Sequence, residues 1–254
     1  MRILLTNDDG INAAGFGVLQ QIAAALSDEV WCVAPETDQS GTAHSLTLHE
    51  PLRCKTLGER TFAVRGTPTD CVIMAIKHLM PMKPDLVLSG INHGENAATD
   101  VTYSGTIAGA IEGTLLGVPS IALSLSFPGR AASTAHWDTP VQHGPRLIKR
   151  LVAAGWPSNV LINVNFPDRT PEATLPALVT RQSTNEEAMW SVVDRMDGRG
   201  QRYFWLGYEA RNRAEPVVGT DLEALHQGHI SVTPLHLDLT HEATVKKLAT
   251  ALAT

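Results

Sequence analysis

The sequence MRILLTNDDG at residues 1–10 is the strongest indication of the fold class. In it an apolar run is followed closely by two adjacent carboxylates and a glycine. The run at residues 3–5 predicts a fully buried β-strand. Apolar residues then recur at helical spacing over residues 16–26, and a second apolar run follows at residues 30–34. Alternation of this kind is typical of βαβ units, so the sequence predicts an α/β fold with a mostly parallel sheet flanked by helices.

The same alternation continues beyond the second strand. We expect further strands at residues 85–88, 120–125 and 160–164, and a helix rich in small residues at 107–116. Near Pro167 this pattern ends.

The C-terminal third has a different composition. Trp190, Tyr203, Phe204 and Trp205 lie among charged residues without helical spacing, which predicts an extended hairpin or arm over residues 181–207.

The segment after the arm returns to regular elements. Residues 220–223 match a capping box ahead of a short helix, residues 230–235 alternate like a strand, and residues 242–252 predict a C-terminal helix. We therefore expect residues 1–254 to form a single domain, with a core at about 1–180 and 208–254.

Composition limits the function classes. The chain has 254 residues, 43% of them hydrophobic and 18% charged, and a net charge of −6. This acidic balance argues against a nucleic-acid polymer as partner, because proteins that bind the phosphate backbone usually carry a basic face. Three cysteines without CxxC spacing, no secretory leader and no membrane-length apolar run predict a soluble cytoplasmic protein that binds no membrane.

The first candidate site is the Asn7-Asp8-Asp9-Gly10 segment, which lies where open α/β sheets place ligands, after a strand. Two adjacent carboxylates repel each other unless a cation lies between them, and all-oxygen ligands suit Mg²⁺ or Mn²⁺. A simple turn, with Asp8 as a cap and Asp9 solvated, is the alternative interpretation.

Two further loops bring oxygen-bearing side chains to the same predicted edge. Ser40 follows the second strand and Asn92 follows the strand at 85–88, and both supply neutral oxygen ligands. The segment Tyr103-Ser104-Gly105-Thr106 then opens a helix, where free backbone amides favour an anion. A divalent cation beside an anion pocket is the arrangement that phosphoester hydrolysis requires.

Five motifs together resemble the SurE (survival protein E) nucleotidase family. They are Asn-Asp-Asp-Gly at 7–10, Ala-Pro-x-x-x-Gln-Ser-Gly at 34–41, Gly-Thr-Pro-x-Asp-Cys-Val at 66–72, Ser-Gly-Ile-Asn-x-Gly-x-Asn at 89–96 and Tyr-Ser-Gly-Thr at 103–106. The segment at 220–235 is also similar to that family's C-terminal part, so the resemblance spans nearly the whole chain.

The resemblance implies a Rossmann-like core with a protruding arm, and a homodimer or homotetramer. It also implies a metal-dependent phosphatase acting on nucleoside monophosphates: a 5′-nucleotidase, with 3′-nucleotidase and exopolyphosphatase activity left open. One Mg²⁺ or Mn²⁺ per subunit would be held by Asp8, Asp9, Ser40 and Asn92. The phosphate would be held by Asn96, Ser104, Gly105 and Thr106. His93 departs from the small residue expected after Asn92, and Glu95 lies close to it, so both bear on substrate preference.

Several functions compete at this stage. The leading hypothesis is attack by water activated on the cation, with Asp9 as general base. An aspartyl-phosphate phosphatase and a receiver-like signalling module are the alternatives, although the first normally has Asp-x-Asp and the second needs a later phosphoacceptor. The first turn lacks GxGxxG, which disfavours a dinucleotide-dependent oxidoreductase. His226 and His229 suggest a shared helix face without a third zinc ligand, and His44 has no assigned role.

Overall fold

The structure is a computed structural model that describes residues 1–127, 135–183, 190–208 and 217–253. Its strands and helices, in chain order, are β1 (Arg2–Thr6), α1 (Ala14–Ala24), β2 (Glu29–Pro35), β3 (Arg53–Gly58), β4 (Thr61–Arg65), α2 (Pro68–Met74), β5 (Leu86–His93), α3 (Gly105–Leu115), β6 (Ser120–Leu125), α4 (Asp138–Ala154), β7 (Val160–Phe166), β8 (Leu175–Val179), β9 (Trp190–Met196), β10 (Arg202–Tyr208), α5 (Asp221–Gln227), β11 (His229–His236) and α6 (Glu242–Leu252).

Nine of the described strands form one sheet in the order β3-β4-β2-β1-β5-β6-β7-β11-β8. The six strands from β4 to β7 in this order run parallel, and β3 and β11 pair antiparallel at the two sides. The predicted α/β class with a mostly parallel sheet is therefore confirmed.

Strand order reverses beside β1, which lies between β2 and β5. The chain moves from β1 to β2 in one direction along the sheet and later resumes at β5 on the other side. The carboxyl ends of these three strands border a crevice, and open α/β sheets bind ligands at such a point. This topology places the three polar loops of the sequence next to one another.

Helices cover both faces of the sheet. On one face, Phe16 and Leu19 of α1 pack with Leu147 and Ile148 of α4 in a single apolar cluster. The other face is covered by α2 and α3, and Ile107 of α3 lies in a smaller cluster. All five of these side chains are buried, so the parallel strands are enclosed as this sheet type requires.

Glycines in α3 set its distance from the sheet. A Cβ atom on Gly109 would lie 2.8 Å from both Ser89 Oγ and Thr6 Cγ2. A Cβ atom on Gly113 would lie 2.4 Å from Ser120 Oγ. Tight helix packing is therefore the role of these two glycines, and it brings the beginning of α3 close to the end of β1.

Several elements differ from the sequence prediction. The strands β3, β4 and β8 were not predicted, and the strand expected at 85–88 continues to His93. The capping box at 220–223 is not formed, because the Thr220 hydroxyl donates to Val217 O and the Glu223 carboxylate accepts from the Gly219 amide. His226 and His229 share no helix, since α5 ends before a left-handed Gly228 and His229 begins β11.

The predicted arm contains an antiparallel hairpin. Strands β9 and β10 pair from Trp190 opposite Tyr208 to Met196 opposite Arg202, and they form a separate two-stranded sheet. Residues 184–189 of the predicted arm lie outside the described residues. The division into core and arm stays a prediction, although the hairpin falls where the arm was expected.

None of the helices in the described ranges combines the length and the hydropathy that a membrane crossing requires.

Candidate active site

The turn after β1 is held by its own side chains. Asn7 Nδ2 donates to Gly10 O at 2.8 Å, and the amide of Ile11 donates to Pro35 O at the end of β2. Gly10 has φ of +100°, a conformation that side chains disfavour. The turn therefore needs a glycine there, as the sequence predicted, and it directs two consecutive carboxylates toward the crevice.

Asp8 lies buried against the first turn of α3. It is 4% exposed, and its Oδ1 accepts a hydrogen bond of 2.5 Å from the Thr106 hydroxyl. A Cβ atom on Gly105 would come within 2.7 Å of Asp8 Cβ, so only glycine fits at that position. Burial raises the pKa of Asp8, while the Thr106 hydrogen bond opposes the rise.

Asp9 is the less satisfied carboxylate of the pair. Its Oδ2 is buried and has no hydrogen-bond partner in the described part of the chain. Burial, followed by the negative charges of Asp8 and Asp38, raises the pKa of Asp9 to about 7, and a backbone hydrogen bond from His93 lowers it. Charge of this kind needs a compensating cation or a proton.

The loop after β2 reaches the same point. The Gln39 amide donates to Asp8 O at 2.8 Å, which ties this loop to the acidic turn. Ser40 is exposed, and both its amide and its hydroxyl donate to Asp38 Oδ1, at 2.8 and 2.6 Å. The Ser40 hydroxyl is thus held by Asp38, and its oxygen can still act as a ligand.

Asn92 lies at a β-bulge in β5. Ser89 pairs with Ala122 and Asn92 with Ser124, so β5 carries one more residue than β6 across this interval. Such a bulge turns the following side chain out of the regular alternation. Asn92 Nδ2 donates to Gly94 O at 2.9 Å, which leaves the amide oxygen for another partner.

The N-terminus of α3 lies where the sequence predicts an anion site. The Ser104 side chain caps the helix by accepting from the Ile107 amide at 3.0 Å. Gly105 has no side chain, and Thr106 is already bonded to Asp8. Free amides of the first turn, together with the Ser104 hydroxyl, therefore lie next to the acidic pair.

Asn96 is placed differently from the other predicted phosphate ligands. It is 6% exposed, and its Nδ2 donates to Ser124 Oγ at 2.9 Å. Its amide donates to Asn165 Oδ1, and its carbonyl accepts from Asn163 and Asn165. Asn96 anchors the loop that leads to α3, and its role as a phosphate ligand stays a prediction.

His93 and Glu95 both face the chain after β6. The His93 ring lies 4.2 Å from the Phe127 ring and 6.0 Å from the Trp137 ring, measured between centroids. Glu95 Oε2 accepts from the Ser126 hydroxyl at 3.0 Å and from the Phe127 amide at 3.2 Å. These contacts give both residues a place at the rim of the crevice.

Sequence reasoning missed three groups around the site. Asp38 raises the pKa of Asp9 and holds Ser40, and its place inside the motif at 34–41 was the available signal. Asn163 and Asn165 were recognisable as polar residues two apart in a buried strand. No sequence signal pointed to Glu112, whose Oε2 lies 3.0 Å from His44 Nε2.

The donor set fits a hard divalent cation. Asp9 Oδ2 and Asn7 Oδ1 are both buried without a hydrogen-bond partner. No group of three or more His, Cys, Asp or Glu residues suited to a metal occurs among the described residues. Two carboxylates and neutral oxygens are the ligand types that a hard divalent cation binds.

Comparison with known proteins is consistent across the chain. The family model described as "Survival protein SurE" matches residues 3–189. The chain is similar to the 5′-nucleotidase SurE of Parvibaculum lavamentivorans, with 53% identity over 100% of this chain and 92% of that protein. It is also similar to the 5′-nucleotidase SurE of Azorhizobium caulinodans, with 54% identity over 98% of both chains.

A solved structure shares the fold. The SurE protein from Aquifex aeolicus superposes with a TM-score of 0.83 at 38% identity and covers 99% of both chains.

Proposed function

The chain belongs to the SurE family, and we propose from this membership that it is a 5′-nucleotidase, an enzyme that releases phosphate from nucleoside monophosphates. The observation that carries the proposal is the unpartnered, buried Asp9 Oδ2 next to Asp8 and the N-terminus of α3. A phosphate bound at the start of α3 and the acidic pair beside it would repel each other, so positive charge is needed between them.

We further propose that one divalent cation, Mg²⁺ or Mn²⁺, is held by Asp8, Asp9, Ser40 and Asn92. A bound cation of this type polarises the phosphoryl oxygen and lowers the pKa of a bound water. Two contacts support this assignment. The Ser40 hydroxyl donates its hydrogen to Asp38 Oδ1, and Asn92 Nδ2 donates to Gly94 O, so the side-chain oxygen of each residue can accept the ion.

The remaining roles belong to the protein's own side chains. Asp9, with its raised pKa, accepts the proton of the attacking water at the carboxylate. Ser104, Gly105 and Thr106 hold the phosphate with the first amides of α3, and Asn96 completes this pocket as a proposed fourth contact. Thr106 keeps Asp8 in one orientation through its 2.5 Å hydrogen bond.

Assembly and compartment are proposed on separate observations. The hairpin β9–β10 exposes a row of large apolar side chains, which supports a homodimer or homotetramer in which the arm contacts another copy. All three cysteines, Cys32, Cys54 and Cys71, are free thiols, which supports a reducing compartment, the cytoplasm.

A phosphate-release assay tests the function. Purified protein is incubated with a panel of 5′- and 3′-nucleoside monophosphates and polyphosphate, with Mn²⁺ or Mg²⁺ and in a parallel series with EDTA. We expect phosphate from at least one 5′-monophosphate with the cation and none with EDTA. Turnover that EDTA leaves unchanged would contradict the metal proposal, and a folded protein that releases no phosphate from any nucleotide would contradict the function.

A further inference from the structure

A second cavity lies far from the candidate active site, between α4 and the edge strand β8. It has a volume of about 480 Å³, within the usual range for small-molecule pockets. Strand β8 is five positions from β1 in the sheet, which corresponds to about 24 Å at the usual strand spacing. None of its lining residues belongs to the candidate active site.

Positive charge marks one wall of this cavity. Arg146 and Arg150 are separated by one turn of α4, so both lie on the same side of the helix. Both are exposed, and neither has an ion pair within the described residues. In a chain with net charge −6, two adjacent arginines without a carboxylate partner are a local reversal of charge.

The surrounding groups add to this charge pattern. His143 lies on the same wall, and its Nε2 donates to Pro171 O at 3.0 Å, which fixes the ring. Among the residues that the structure describes, the lining contains no Asp or Glu. The nearest acids along the chain are Asp138, at the start of α4, and Glu172, in the turn before β8, and neither lines the cavity.

Most of the remaining lining is apolar. Leu175, Pro176 and Ala177 of β8 are exposed at the cavity, and the buried Leu147 of α4 and Ile230 of β11 also line it. A purely inorganic anion would leave that surface uncovered. A ligand with an anionic end and an apolar organic part would contact both the arginines and the apolar surface.

We propose that this cleft binds an organic diphosphate. The phosphate groups lie at Arg146 and Arg150, and the organic part lies on the exposed Leu175, Pro176 and Ala177 of β8. Arginine suits this role because its planar guanidinium donates two parallel hydrogen bonds to phosphate oxygens. The site is independent of the proposed nucleotidase reaction, since it shares no residue with the crevice at β1.

Titration calorimetry with ADP in EDTA tests the proposal on the full-length protein, because EDTA suppresses metal-dependent turnover. We expect wild type to bind ADP, and Arg146→Gln combined with Arg150→Gln to weaken binding at least about tenfold. Lys149→Gln, on the same helix but outside the cavity, is the matched control and should bind like wild type. Adenosine and pyrophosphate should each bind at least about tenfold more weakly than ADP.

A cavity-filling variant keeps the test independent of the arginines. Ala177 lines the cleft from exposed β8, and Ala177→Trp should reduce ADP binding while phosphate release from a nucleoside monophosphate stays unchanged. ADP binding that survives both the double arginine variant and Ala177→Trp would overturn the proposal and assign the nucleotide to the crevice at β1. Absence of ADP binding to wild type, or equal affinity for pyrophosphate and ADP, would also overturn it.

Discussion

The candidate active site and the hairpin β9–β10 differ in how far their side chains are buried and bonded within the chain. Asp8 is 4% exposed and bonded within the chain, whereas Trp205 and Leu206 of the hairpin are 65% and 73% exposed. The site draws on the ends of β1, β2 and β5 and on α3, which the sheet and the core hold together. The hairpin has only its own two strands, and an isolated two-stranded sheet is marginally stable in water.

This contrast predicts which part of the molecule functions within a single chain and which part contacts a second copy. Every predicted site residue lies outside the hairpin, so we predict that the chemistry requires no second copy. The hairpin exposes apolar surface on both sides, because Phe204 and Trp205 point to opposite faces and both are more than half exposed. The predictions below test this division between a self-contained site and an arm that needs a partner.

The largest effect is expected for Asp9→Asn. The change removes the proposed general base and one cation ligand, so kcat should fall by about a thousandfold. It also removes the repulsion among Asp8, Asp9 and Asp38, so the melting temperature in EDTA should not fall. Phosphate release and thermal melting measure the two effects.

Asp28→Asn is the control for Asp9→Asn. Asp28 is exposed and lies between α1 and β2, and its variant should retain wild-type turnover. Near-normal activity of Asp9→Asn would remove Asp9 from the proposed mechanism.

Gly105→Ala should have the next largest effect. The added Cβ would lie 2.7 Å from Asp8 Cβ and 2.9 Å from Asp8 Oδ2, so the carboxylate must move from its position beside Thr106. We expect kcat/KM to fall by about a hundredfold, because misplacement by about 1 Å carries a cost of that order. Gly17→Ala in α1, where a Cβ meets nothing within 4 Å, is the matched control. Equal activity of the two variants would indicate that the position of Asp8 matters little.

The place of the candidate site residues in the fold could be predicted from sequence because they occupy local motifs, while their roles stay predictions. Asp8, Asp9 and Ser40 follow strands, Asn92 lies near the end of β5 and Ser104 precedes α3, and the parallel sheet brings such positions to one edge. Hydrophobic runs and helical spacing were sufficient for that part of the fold.

Contacts between segments that are distant in the sequence could not be predicted from it. Strand β3 is exposed along its whole length and carries no apolar alternation, so its pairing with β4 had no periodic signal. The strand at 85–88 extends to His93 only because β6 pairs with the residues after the bulge. His44 meets Glu112 across 68 positions, and nothing local to either residue indicates the contact.

Removal of the cation should make stability depend on pH. The pKa of Asp9 is raised from 3.8 to about 7, so its stabilising contribution is complete below pH 3.8 and is lost as the pH rises through about 7. In EDTA, we expect the melting temperature to decline by about 5 °C across this interval. Mn²⁺ should restore the loss at pH 8, and Asp9→Asn should lessen the dependence. A cation that stabilises wild type and Asp9→Asn equally would contradict its assignment to Asp9.

The smallest effect on chemistry is expected in the arm. Phe204→Ser combined with Trp205→Ser removes two exposed aromatic side chains from β10, one on each face of the hairpin. We expect light scattering after gel filtration to give a smaller assembly than wild type, because burial of such surface is the main driving force for association. Turnover per chain should change by less than about threefold, since the side chains of the site are positioned by the core. Arg199→Ala, in the turn between β9 and β10, is the control and should leave assembly unchanged.

Two results of the arm experiment would contradict the division between a self-contained site and an arm that contacts another copy. An unchanged assembly would indicate that the exposed aromatic residues of β10 do not form the contact between copies. A loss of turnover in proportion to the loss of assembly would indicate that a second copy completes the site. The outcome that supports the division is a smaller particle that keeps its activity, because Asp8, after β1, and Thr106, in the first turn of α3, are bonded to each other within one chain.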